Sequence, residues 1–173
     1  MFAKNQIVLV DTNVILEAHR MSCWAALSQY FALHTVEKVV EETQTGYQNR
    51  SPEQTIDEAA LRKQLRHIEP VSDTQRAQFV IDHPEAVLDD GERDLVIYAG
   101  LLTKAKPSIS VWFLNSPDIA TIRHAHRQHW LDHLISLEEM SQHLIKRKLN
   151  LKTNYSRAWL SNQKARFILS GKQ

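Results

Sequence analysis

The stretch QIVLVDTNVILEAHR, residues 6 to 20, sets four consecutive apolar residues, Ile7 to Val10, directly against an aspartate and the first turn of a helix. A strand that is apolar at every residue, rather than at alternate ones, has to be covered on both faces, as a strand inside a parallel sheet is. A second run of this kind, SISVWFLN at 108–115, is separated from the first by segments with helical spacing. Strands that alternate with helices imply a parallel sheet sandwiched between helices. With 173 residues and 43% hydrophobic content the chain can bury one good core, or two small ones.

The connecting segments carry helix punctuation. Thr12 or Asn13 can cap the first helix, and helices are expected over Ser22 to Phe31 and Val36 to Gly46, the latter with an apolar stripe at Val36, Val39, Val40 and Thr43. NRSPEQ reads as a loop, Glu53 to His67 as a helix, and EPVSD as a turn before another short helix. Asp89 or Asp90 caps a helix running from Glu92 to Lys104, with Glu92 at the capping-box spacing from Asp89. Ser116 is expected as an N-cap with Pro117 at the first helical position, and HLISLEEM as a short strand turning into a helix.

Charge is unevenly placed. The 21 Lys and Arg nearly balance the 20 Asp and Glu, a net +1, but from Ile145 onward there are eight basic residues and no acid. Residues 1–144 therefore hold 13 basic against 20 acidic side chains, a net of −7, and read as one domain followed by a basic, helical extension over 145–173. Tyr155, Trp159 and Phe167 among those basic residues allow two readings of the extension. It can track phosphates and stack bases, or it can dock as an amphipathic helix on the acidic body. The single cysteine, Cys23, reads as core filler and makes an internal disulfide impossible. No apolar window is long enough to span a bilayer, so a cytoplasmic setting with no membrane partner is expected.

In a parallel sheet, ligands and reacting groups gather outside the carboxyl ends of the strands. Both strong runs end there on acid, the first at Asp11 and the second, through Asn115, Ser116 and Pro117, at Asp118. One such aspartate is commonly a helix cap; two at the same edge favour a site. On the 36–46 helix Glu42 borders the apolar stripe while Glu41 points further toward solvent. Asp94 has Ile97, Tyr98 and Leu101 as its helical neighbours, and a carboxylate on an apolar face needs either a buried Arg or Lys partner or a shared cation. Several converging carboxylates with no Cys favour Mg²⁺ or Mn²⁺ over zinc.

In order and spacing, LVDTNVIL, VVEET, GERDLVIYAG and FLNSPD resemble the four acidic motifs of PIN-domain ribonucleases, including VapC-like toxins, over residues 6–144. The resemblance implies a three-layer α/β/α sandwich whose central parallel sheet has four or five strands, with Asp11, Glu42, Asp94 and Asp118 converging on one or two Mg²⁺ or Mn²⁺ ions. Thr12 and Asn13 would be supporting polar groups, and Ser116 stands where the family has Thr or Ser. Two departures matter: Pro117 precedes Asp118, and Glu41 and Glu92 are near enough to compete for the roles of Glu42 and Asp94. The activity implied is metal-assisted hydrolysis of RNA by an endoribonuclease, either as the toxin of a type II toxin–antitoxin system or, since the tail and the 48–90 segment make the chain longer than the compact toxins, as a nuclease outside one. The partners that go with it are RNA as substrate, an antitoxin protein and a second copy of the chain.

Other classes fit less well. A haloacid-dehalogenase-type phosphatase needs an Asp where Asn13 stands, and four glycines provide no phosphate-binding P-loop. A catalytically inactive PIN-fold module that binds RNA or protein is the alternative, and a phosphohydrolase of small substrates stands behind it. The histidines of RHAHRQHWLDHL tempt a zinc or nickel reading, but His126 falls on the face of Ile119, Ile122 and Trp130, where a hydrogen-bonded core histidine is ordinary.

Overall fold

Strand β1 (Ile7–Val10) lies between β2 (Ala32–Val36) and β4 (Trp112–Asn115), and β3 (His67–Glu69) extends the sheet beyond β2; all pairs are parallel, in the order β3-β2-β1-β4. This arrangement is taken from a computed structural model that describes residues 2–46, 52–105 and 111–170. Val8, Leu9 and Val10 are at most 1% exposed, the condition the unbroken apolar run requires. Past β4, Leu134 makes one parallel bridge to Leu114, which is all that HLIS contributes as a strand. Ser108 to Ser110 of the second apolar run lie outside the described residues.

Nine α-helices are found among the described residues: α1 (Thr12–Arg20), α2 (Trp24–Tyr30), α3 (Glu37–Thr43), α4 (Glu58–Gln64), α5 (Asp73–Asp82), α6 (Asp90–Lys104), α7 (Ile119–Arg127), α8 (Leu137–Leu144) and α9 (Arg157–Ser170). On one face of the sheet His34 is bonded to the Tyr98 hydroxyl of α6 at 2.7 Å, and Trp112 meets Trp130 and His133. On the other, Phe113 packs on Phe2 beside His143 of α8, and Asn115 reaches Met140 of the same helix. Helices thus cover both faces of a parallel sheet, an α/β architecture compatible with a three-layer sandwich.

Several local expectations are corrected. The helix expected from Val36 begins at Glu37, because Val36 closes β2. The one expected from Glu53 to His67 breaks into a 3-10 turn (Pro52–Gln54), α4 and β3. Thr12 and Asn13 do not cap α1; Asp11 does, accepting from the N–H groups of Asn13 and Val14. Ser116 does not cap α7 either. The cap is Asp118, and Pro117 precedes it. Asp89 caps α6 in a capping box with Glu92, as the spacing suggested. Within RHAHRQHWLDHL the deeply buried histidine is His124, 3% exposed, while His126 is half-buried against Phe167. Cys23 is fully buried in the core, where burial pushes its thiol up to about 11.

The basic extension packs on the body. The backbone N–H of Lys152 donates to buried Glu17 of α1 at 3.0 Å, the Tyr155 hydroxyl donates to the carbonyl of Asn13 at 3.2 Å, and Lys164 donates to the carbonyl of Leu134 at 2.7 Å. Tyr155 and Leu160 are 7% and 5% exposed, so Tyr155 is not a surface ring onto which a base could stack. No helix among the described residues is long and apolar enough to cross a membrane.

Candidate active site

The carboxyl ends of β1 and β4 are adjacent, with Val10 paired to Asn115, so the residues that follow them emerge side by side. Asp11 is 3% exposed; one oxygen accepts from the N–H groups of Asn13 (2.6 Å) and Val14 (3.1 Å), the other from the Ser116 hydroxyl (2.6 Å). Burial nonetheless pushes its pKa up to about 6, and the neighbouring Asp118 carboxylate acts in the same direction. Asp118 spends Oδ1 on the N–H groups of Ala120 (2.6 Å) and Thr121 (3.2 Å), while Oδ2 takes no hydrogen bond from a described residue. Each aspartate is a helix cap, and each cap uses one oxygen of two.

The third carboxylate comes from the first turn of α6, and it is Glu92. Burial raises its pKa to about 8, with the charges of Asp118, Asp89 and Asp11 adding to the effect. Asp94 is placed elsewhere. It is 1% exposed and held by the Arg76 guanidinium of α5 through contacts of 2.6 and 3.0 Å, with Arg93 at 3.5 Å. Two residues along a helix is a rotation of about 200°, so Glu92 and Asp94 cannot serve the same site. Asp94 thus has the buried arginine partner that a carboxylate on an apolar face needs.

Glu42 sits at the rim, as the helical phase predicts. It accepts from the Thr12 hydroxyl (2.6 Å) and the Gly91 N–H (3.0 Å), joining the starts of α1 and α6, and burial raises its pKa. A Cβ on Gly91 would lie 2.5 Å from Glu42 Oε2, so any larger residue there would have to push the Glu42 carboxylate aside. Glu41 turns outward and pairs with Lys38 at 3.1 Å. Asn13 presents its backbone to Asp11 and Tyr155, and its side chain is exposed.

The cluster therefore combines Asp11, Glu92 and Asp118, from three elements, with Glu42 beside them. No Lys, Arg or His among the described residues forms an ion pair with any of the first three. Among the described residues no three acidic, histidine or cysteine side chains stand close enough together to hold one metal ion. A donor set of carboxylate oxygens suits Mg²⁺ or Mn²⁺, and Mg²⁺ needs only one or two carboxylates because it keeps several waters. No family model matches this chain, and no curated protein does.

Proposed function

We propose that this chain is a Mg²⁺- or Mn²⁺-dependent endoribonuclease with a PIN-like fold, in which Asp11 and Asp118, at the adjacent strand ends, hold the ion, Glu92 stands beside them as a proton acceptor and Glu42 braces the cluster. The observation behind this reading is the set of carboxylates at the carboxyl edge of a parallel sheet, with no cationic side chain among the described residues paired to them and with Asp11 and Glu92 raised in pKa by burial. When bound, the ion would supply an ionised water and offset charge on the scissile phosphate. The chain's own groups do the rest. Ser116 and the first N–H groups of α1 fix the Asp11 carboxylate, Thr12 and Gly91 fix Glu42, and Glu92, raised to about 8, can take a proton from an attacking water in its ionised form.

The test is cleavage of single-stranded RNA with Mg²⁺, Mn²⁺ or a chelator. Wild-type protein should cut only with metal, and Asp11→Asn should fold and not cut; cleavage in chelator, or full activity of that variant, would sink the proposal. A catalytically inactive RNA- or protein-binding module is the second reading, favoured by the absence, among the described residues, of a three-ligand group. RNA bound but left intact with every divalent ion would establish it. The setting proposed is the cytoplasm, as the toxin of a type II toxin–antitoxin pair with an antitoxin partner and a homodimeric state. A neighbouring reading frame for a small DNA-binding protein that co-purifies with this one would bear on it directly.

A further inference from the structure

A cavity of about 400 Å³ opens between α5, α6 and the end of α7, away from the acidic cluster. Its wall is a set of linked rings: His124 lies 5.3 Å from Phe79, 5.0 Å from His83 and 6.0 Å from Trp130, centroid to centroid. His124 is 97% buried, given its 3% exposure, and its ring makes no hydrogen bond to a described residue; its Nδ1 is a buried polar atom without a partner. Gln128 and Lys104 supply polar groups at the margin. Among the described residues no third ligand joins His83 and His124 in a metal site. Burial and the neighbouring His83 hold the His124 pKa down to about 4, so at neutral pH the ring carries one donor and one acceptor nitrogen and no charge.

The cavity lies along the two helices that start at the acidic cluster. Gly100, on its wall, is eight residues beyond Glu92, about 12 Å along the α6 axis and about a quarter-turn round it. His124 is six residues beyond the Asp118 cap, about 9 Å along α7. Aromatic faces with a neutral hydrogen-bonding edge suit an unstacked base of a single strand better than they suit an anion or an aliphatic chain. We propose that this cavity holds one base of the single-stranded RNA whose backbone crosses the acidic cluster, so that His124 and its ring neighbours set a base preference near the scissile bond. The proposal rests on the ribonuclease reading for its substrate, and its test is chosen to separate the two.

Gly100→Leu is the plugging variant. A Cβ there meets only Trp130 at 3.7 Å, an ordinary contact, so the helix should keep its stability while the added side chain fills the space. His124→Phe keeps the ring and removes the hydrogen-bonding nitrogens. Short RNAs differing at one position would be titrated, by fluorescence anisotropy, into protein carrying Asp11→Asn so that they survive. The four ribonucleoside monophosphates would be titrated into the same proteins while NMR follows the Trp130 indole. The expected result is a preference for one base, weakened about tenfold by Gly100→Leu and largely lost in His124→Phe, with the melting temperature of the plugged variant unchanged. Unchanged preference in a folded Gly100→Leu protein overturns the inference and leaves the ribonuclease reading standing. Monophosphate binding at Trp130 without any effect of Gly100→Leu on RNA also overturns it, because the ligand is then a free nucleotide. A base-selective, plug-sensitive protein that cuts no RNA with any metal upholds the cavity and removes the nuclease.

Discussion

Glu92 and Asp94 are two residues apart, and their surroundings assign them opposite jobs. Glu92 is crowded by carboxylates and Asp94 is matched by a guanidinium, so neutral amides at the two positions should act in opposite directions. Asp94→Asn should cost about 1–3 kcal/mol in denaturant unfolding, because the Arg76 fork loses its charged partner. Glu92→Gln should leave metal-free stability equal or higher at pH 8 and abolish cleavage; a stability loss there equal to that of Asp94→Asn would refute the assignment. Burial, with this crowding added, gives a pH signature. Asp11 and Glu92 have ordinary values of 3.8 and 4.5 and are raised to about 6 and about 8, so the folded chain holds protons that the unfolded chain releases. Their protonation stabilises the fold fully below about pH 4, and that contribution is lost as the pH rises toward about 8. The buried His34 and His124, held down from 6.5 to about 4, act in the opposite direction below about pH 6.5, so without divalent ions the melting temperature should fall between about pH 6.5 and 8, and Mg²⁺ should recover more of it at the alkaline end. A flat or rising profile over that range would mean that Glu92 is not raised in the folded protein. Asp11 and Asp118 were legible in the sequence because each follows an apolar strand run. Glu92 was visible only as a competitor, since choosing it over Asp94 depends on Arg76 lying alongside, and that contact belongs to the packing of α5 on α6.

At the scale of elements, what escaped the sequence was polar. β2 carries His34 and Thr35, and β3 is only His67, Ile68 and Glu69, so neither shows an unbroken apolar run. Thr35 is satisfied by the Val10 carbonyl at 2.7 Å and His34 by Tyr98, partners that come from other elements and leave no local pattern. The extension after residue 144 was legible as basic and helical, while its packing depended on Glu17, an acid on a helix far back in the chain. Tyr155→Phe should cost about 1 kcal/mol through the lost bond to Asn13. Truncation after Leu144 should lower the melting temperature far more, since it leaves the buried Glu17 without the Lys152 N–H and uncovers the surfaces under Tyr155 and Leu160. A truncated protein as stable as the full chain would show that these contacts contribute nothing.

Over the whole molecule, an acidic body of −7 and a basic segment of +8 are folded together, and the attraction between them is partly consumed in holding them so. Lys146, Lys148 and Arg166 nevertheless remain exposed, with no ion pair to a described residue. Replacing all three with Gln should reduce the slope of log affinity for single-stranded RNA against log salt by about 2 and leave the melting temperature unchanged. An unaltered slope would place RNA contact on another surface. The bond between Glu17 and Lys152 joins residues 135 positions apart, and it buttresses the helix that begins on Asp11. Contacts of such separation form late, both in refolding and as a chain leaves the ribosome. A nascent chain that has emerged only through α8 already carries every acid of the cluster and still lacks the support of its first helix, so the cluster should reach its final rigidity only after residues 145–170 have followed.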